Sequence, residues 1–184
     1  MRILLPLLIP FLILISCSLP GTQTETTSSD GNTVLVDSRT FSVRVPKTWT
    51  AASSSSLPTP KKGIIEIAYI SSEVKYGFSN NFIVMSNALD TPMTSKKYSQ
   101  LNQLQTTRNY LEYSKLTDED MTFTDGETTR IYTFEARYNE TSPRMRFIQT
   151  ARVCSGRVYL MHLALSLDKD PMIYVPLLQT FACK

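Results

Sequence analysis

Histidine, cysteine and clustered charge are the side chains most often put to chemical work, and this chain uses the first two sparingly. Its 184 residues include one histidine, His162, and three cysteines, Cys17, Cys154 and Cys183. One histidine cannot build a typical zinc site, and no C-x-x-C spacing points to redox catalysis. His162 stands in Val158-Tyr159-Leu160-Met161-His162-Leu163-Ala164-Leu165, a strand pattern apolar on both faces, so a packed, hydrogen-bonded histidine is expected rather than a general base. The serines lack a G-x-S-x-G elbow, and the six glycines form neither a P-loop nor a G-x-G-x-x-G turn. Asp118-Glu119-Asp120 lacks the spacing and closing glutamate of a calcium loop and reads as a solvated turn. No catalytic residue, cofactor or metal site is expected.

Arginine is the one suggestive pattern. Arg144, Arg146 and Arg152 share one face of a strand, and Arg137, Arg130 and Arg157 lie on nearby strands or turns. Such a face suits anionic headgroups or an acidic partner. Glu135 and Glu140 are interleaved, however, and the wet side of an antiparallel sheet carries such residues without any ligand. The aromatics Tyr69, Tyr76, Phe78, Tyr132, Phe134 and Tyr138 leave a similar choice between a ligand groove and core packing.

Cys17 has a different prospect, because of what precedes it. Arg2 is the only charge before Glu25, and Ile3 to Ile15 is almost wholly Leu, Ile, Phe and Pro. A membrane span needs roughly 20 apolar residues. This run is shorter and holds Pro6 and Pro10, so residues 1–16 read as a signal peptide. Leu14-Ile15-Ser16-Cys17 resembles the bacterial lipobox, which implies cleavage behind Ser16 and a diacylglyceryl thioether on Cys17. Several acyl chains, at about 0.8 kcal/mol per buried methylene, make a durable anchor. Ser18, where an Asp would signal inner-membrane retention, slightly favours the outer membrane of an organism that has one. Residues 17–32 then form a flexible Thr/Ser/Gly tether, with a mean reach of about 20 Å.

The remaining stretch, 33–184, is the size of one domain able to bury a core. The formal charge of +3 falls by one when Arg2 leaves and is too small to argue for nucleic acid. With Cys17 assigned to lipid, Cys154 and Cys183 remain as a pair outside the cytosol, where a disulfide is expected. The alternatives are two buried free thiols or reduction in an anaerobe.

Period-two alternation predicts strands over 33–36, 41–45, 64–70, 82–89, 121–124 and 128–138, with a long hairpin from 144–153 and 157–167 turning at Ser155-Gly156. A helix is expected between Thr94 and Leu116, capped by Thr94 or Ser95, with Tyr98, Leu101, Leu104 and Leu111 falling near one face. Asp170-Pro171 opens a last helix, whose buried face would hold Met172, Val175, Leu178 and Phe181. That helix must return along the sheet, which carries Cys183 toward Cys154.

The opening Phe41-Ser42-Val43-Arg44-Val45-Pro46-Lys47-Thr48-Trp49 is an F-x-V-x-V-P-x-x-W pattern. Together with the strand pair, the helix, the hairpin with Val158-Tyr159, and the ending Leu177-Leu178-Gln179-Thr180-Phe181, it resembles the PsbP-like superfamily over 33–184. That superfamily includes the extrinsic PsbP subunit of photosystem II and DcrB-type bacterial lipoproteins. The resemblance implies an α+β fold, an antiparallel sheet flanked by helices on both faces. It also implies a non-catalytic accessory or docking module, and it supplies no site residues. The expected function is thus a lipid-anchored envelope protein that docks on a protein partner. A carrier or sensor of a small apolar or anionic ligand is the second reading, and a hydrolase with an unrecognised site the third.

Overall fold

The computed structural model describes residues 24–26, 31–53, 57, 60 and 62–184. Cys17 and residues 1–16, the stretch read as a signal peptide, lie outside the described residues. Alternation builds β2 (Thr33–Asp37) and β3 (Phe41–Pro46): Phe41, Val43 and Val45 are buried while Ser42 and Arg44 keep partial exposure. A short β1 (Thr24–Thr26), inside the stretch read as tether, pairs antiparallel with β2.

Seven more strands form the main sheet. They are β4 (Trp49–Ala51), β5 (Ile64–Lys75), β6 (Phe78–Ala88), β7 (Leu111–Thr122), β8 (Thr128–Arg137), β9 (Arg144–Cys154) and β10 (Arg157–Leu165), in the order β4-β5-β6-β10-β9-β8-β7. All neighbours are antiparallel. At the C-terminus β11 (Ala182–Cys183) joins β3, completing a second sheet in the order β1-β2-β3-β11.

The expected helix-flanked sandwich is not what the chain builds. The fold is mostly antiparallel sheet, and the two α-helices among the described residues are short: α1 (Ser95–Asn109) and α2 (Val175–Gln179), the latter after a 3-10 turn at Pro171–Tyr174. α1 lies over one face of the main sheet, on β8 and β9. The other face packs against the small sheet. There Phe41 stacks on Phe181 at 5.0 Å and meets Tyr159 at 5.2 Å, joining β3, β10 and the C-terminal segment in one core. Two local reasons explain the shortfall of helix. Tyr110 turns extended after Asn109, so Leu111 to Thr122 becomes the edge strand β7. Pro176 is tolerated only near a helix start, and the last residues leave α2 to pair with β3.

Cys154 and Cys183 are disulfide-bonded with their Cα atoms 5.8 Å apart. The bond ties β9 of the main sheet to β11 of the small one, as the returning terminal segment led one to expect. Of the terminal apolar residues, Leu178 and Phe181 are buried, Val175 is partly so, and Met172 is exposed.

α1 turns its small polar residues, not its leucines, toward the sheet. Leu101, Leu104 and the following Leu111 are exposed, Leu104 at 61%, while Ser95, Ser99 and Thr106 are buried. The ladder explains why. β9 loses its β8 partner beyond the Ile131–Thr150 pair. The free Ala151 and Val153 amides then donate to Ser99 Oγ at 3.0 Å and Ser95 Oγ at 2.9 Å. Because buried amide donors must be paired, two serines a helical turn apart replace a missing strand.

Candidate functional site

One end of the main sheet gathers most of the features that a binding surface needs. The end of β5, the start of β6, the β8–β9 loop, the start of β7 and the segment after β10 all meet there, as the pairs Lys75–Phe78, Arg137–Arg144, Leu111–Arg137 and Leu165–Arg146 require. The β5–β6 link is the two-residue turn Tyr76-Gly77, with φ of 53° and 74°. Positive φ at both central positions defines a type I′ hairpin, normally filled by Asn, Asp or Gly. Here the first position is a tyrosine whose ring stands 87% exposed. Val74, Leu167 and Tyr138 are further exposed apolar residues at this end. Glu112 also has a positive φ, 52°, at the start of β7, as does Ser155, 47°, in the β9–β10 turn at the opposite end. Each such residue costs about 1 kcal/mol or more, and strain of this kind gathers at functional sites.

Beside Tyr76 lies a cavity of about 240 Å3, walled by Tyr76, Phe78, Pro143, Met145 and Leu167 with Lys75, Arg144 and Ser166 as its polar members. Ion pairs frame it. Lys75 Nζ meets Asp168 Oδ2 at 2.5 Å and Glu73 at 3.2 Å, and Lys169 holds Glu73 at 3.0 Å. Lys75, followed by Ser166, which donates from its hydroxyl at 2.6 Å, takes the Asp168 carboxyl down to about 2. Arg146 Nη2 binds Glu135 at 2.8 Å and, as the main cause, holds that carboxyl below its ordinary range. Arg137 donates to the Ser142 and Glu140 carbonyls and pairs with Glu112, which also faces Arg144 at 3.6 Å.

The arginine face expected from the sequence is therefore divided. Arg137, Arg144 and Arg146 come together at this end, each with carboxylate partners. Arg152 does not join them. It sits by the disulfide, only 7% exposed, with Nη2 2.7 Å from Asp125, Nε donating to Cys183 Sγ and its guanidinium over the Phe123 ring. Arg144, Arg146 and Arg152 do alternate with the residues between them, but on the face that also carries buried Ile148 and Cys154, so this is not the wet side. Arg130 is held by Asp118 and Asp120, and Arg157 donates to Ser86.

Of the six aromatics weighed earlier, Tyr69, Tyr132 and Phe134 are core, whereas Tyr76 and Tyr138 are exposed and Phe78 is part of the cavity wall. Sequence reasoning missed Lys75 at the end of β5, Pro143 and Met145 around the start of β9, and Ser166 and Leu167 just after β10. The available signal was Tyr76-Gly77, a two-residue hairpin between apolar runs with the wrong residue in first place.

His162 sits elsewhere, beneath α1. Gln149 Nε2 donates to its Nδ1, and Gln149 Oε1 accepts from Tyr132 Oη, Asn102 Nδ2 and Thr106 Oγ1. Tyr110 and Phe147 pack on the imidazole, and burial pushes its pKa down to about 4 although part of the residue stays accessible. Burial also pushes Tyr132 and Tyr110 up. Gln149 thus links β8, β9, β10 and α1 through a hydrogen-bonded network that holds a neutral histidine. Among the described residues, no three His, Cys, Asp or Glu side chains are grouped to hold a metal.

The two-sheet arrangement with one covering helix is a PsbP-like fold. Solved structures of similar fold include the solution structure of cyanobacterial PsbP (CyanoP) from Synechocystis, with a TM-score of 0.54 and 11% identity over 92% of this chain and 98% of that one. The Ran-binding protein Mog1p of Saccharomyces cerevisiae superposes with a TM-score of 0.49 and 11% identity over 88% and 95% of the two chains. No family model and no curated protein matches the sequence.

Proposed function

We propose that this chain is a non-catalytic accessory protein that docks on an exported partner protein through the Tyr76 end of its main sheet, held at a bacterial membrane by lipid on Cys17. The observation that carries the docking reading is Tyr76: a large aromatic side chain kept in solvent on a backbone that disfavours it. Tyrosine and arginine at a rim around a small cavity are the composition of protein-binding hot spots.

Topology supports a protein partner over the membrane surface. Thr24 pairs with Asp37, Asp37 with Ser42, and Phe41 with the disulfide-bonded Cys183. Cys154 ends β9 at the turn into β10, opposite the Tyr76 end. Seven residues separate Cys17 from Thr24, so a lipid on Cys17 would be held within roughly 25 Å of Thr24. The 11 residues of β9 span about 35 Å, which points Tyr76 away from the headgroups into the envelope space.

A photoreactive amino acid placed at Tyr76 or Tyr138 in envelope preparations tests this. One discrete crosslinked product is expected from both positions and none from Leu116 on the exposed edge strand β7. Equal products from all three, or none, would remove the docking reading.

A further inference from the structure

The cavity inside the docking end has a chemistry of its own, and its three polar members are not equivalent. Lys75 is taken up by Asp168 and Glu73, and the Ser166 hydroxyl by Asp168. Arg144 is less committed. Its Nη1 donates to the Glu112 carbonyl at 3.1 Å, while its carboxylate contacts are long, 3.5 Å to Glu135 and 3.6 Å to Glu112. Its Nη2 has no hydrogen bond or ion pair among the described residues. By contrast Arg137 and Arg146 each have all three guanidinium nitrogens engaged. The arginine on the cavity wall is the one with donors to spare. In this network five cations, Lys75, Lys169, Arg137, Arg144 and Arg146, share four carboxylates, Glu73, Asp168, Glu112 and Glu135. An added negative charge balances the surplus.

We propose that this cavity binds a carboxylate carried on a compact apolar body. The terminal nitrogens of Arg144 grip the carboxylate end-on, and Tyr76, Phe78, Met145 and Leu167 enclose the body. A guanidinium fork matches a carboxylate in plane and spacing. The volume of about 240 Å3 lies below the roughly 300–1,000 Å3 of drug-sized ligands. The occupant is therefore the size of one aromatic or branched residue: a small aryl or branched alkanoic acid, or an apolar residue at the carboxy terminus of a polypeptide. The inference deepens the docking reading, taking its location from it but not its chemistry.

The test titrates the full chain with 3-phenylpropionate and with 3-phenylpropionamide, following the backbone amides of residues 143–145 and 166–167 by NMR. Those amides are expected to shift with the acid, which binds about tenfold more tightly than the amide because its hydrogen bonds are charge-assisted. Arg144→Gln brings the acid down to the level of the amide. A peptide ending in a free phenylalanine carboxylate, run beside its amidated form, separates the two sources. Tighter binding than the small acid marks a chain terminus, and weaker binding a free acid. Equal affinity for acid and amide, shifts confined to other residues, or no binding of either at about 10 mM would overturn the proposal. Equal affinity would leave crosslinking at Tyr76 intact and so sink the carboxylate alone. A lost crosslink with the acid preference preserved would sink the docking reading alone.

Discussion

Tyr76 and His162 each set local comfort against something else. At Tyr76 the backbone is the loser, since an Asn-Gly pair fills a type I′ turn without strain. Tyr76→Asn is therefore expected to stabilise the protein by about 0.5–1 kcal/mol in urea unfolding while abolishing capture of the partner. A variant less stable than wild type would mean that the ring packs usefully at home. At His162 the enclosed ring is held neutral, with a folded pKa of about 4 against an ordinary 6.5. Between those values the unfolded chain binds more protons, so stability falls as pH drops from 6.5 and levels off below 4. The whole effect is about 3 kcal/mol. Asp168 and Glu135 have lowered pKa values, so the stability they contribute is present above the ordinary carboxylate range and is lost below it. They leave the histidine window largely clear. His162→Gln should flatten the stability profile between pH 6.5 and 4, and an unchanged slope would refute the assignment.

Elements here are joined by polar contacts as much as by apolar ones. Under α1, Gln149 accepts three hydrogen bonds and donates one to His162. Gln149→Ala strands several buried polar groups and is expected to cost about 2–4 kcal/mol. Leu104→Gln, on the outward face of the same helix, should stay within about 0.5 kcal/mol. Hydrogen exchange of the α1 amides reports both; the reverse ranking would mean that the helix is held by its leucines. The two sheets are joined by the disulfide at one end. Closing its loop is worth about 3.5 kcal/mol on the loop-entropy model, so reduction should lower the urea midpoint by that equivalent and loosen β11 first. The helix itself was legible from Thr94, whose hydroxyl accepts from the Lys97 amide at 3.2 Å. Its orientation was not. Leucines mark a buried face only where the surface beneath is apolar, and β9 instead offers two unpaired amide donors.

Across the whole molecule, β1 of the small sheet, the described strand next in sequence to the proposed anchor, lies at the disulfide end, and the proposed docking surface lies at the far end of the main sheet. On the proposed reading the fold serves as a spacer, with β1 near the disulfide end and Tyr76 about 35 Å away along β9. Cys17→Ser is expected to move the chain from the membrane to the soluble fraction without changing its unfolding midpoint, as seen by fractionation and denaturant titration. A variant that stays on the membrane would show that the folded part binds lipid itself. A loss of stability would mean that the N-terminal segment contributes to the core.

What the sequence determined by itself was everything set by neighbours along the chain. The alternation of Phe41, Val43 and Val45, the turn at Ser155-Gly156 and the cap at Thr94 each depend on a few adjacent residues, and all are found in the structure. The Cys154–Cys183 pairing was also within reach, because only a short returning segment separates hairpin from terminus. Tertiary structure alone decided that the second face is covered by another sheet rather than by helices, and that Arg152 is buried beside a sulfur while Arg144 keeps donors free. It also decided that Lys75, Pro143, Met145 and Leu167 enclose one cavity. Those outcomes rest on which strand ends where, a matter of long-range pairing and of satisfying every buried amide, which no local pattern encodes.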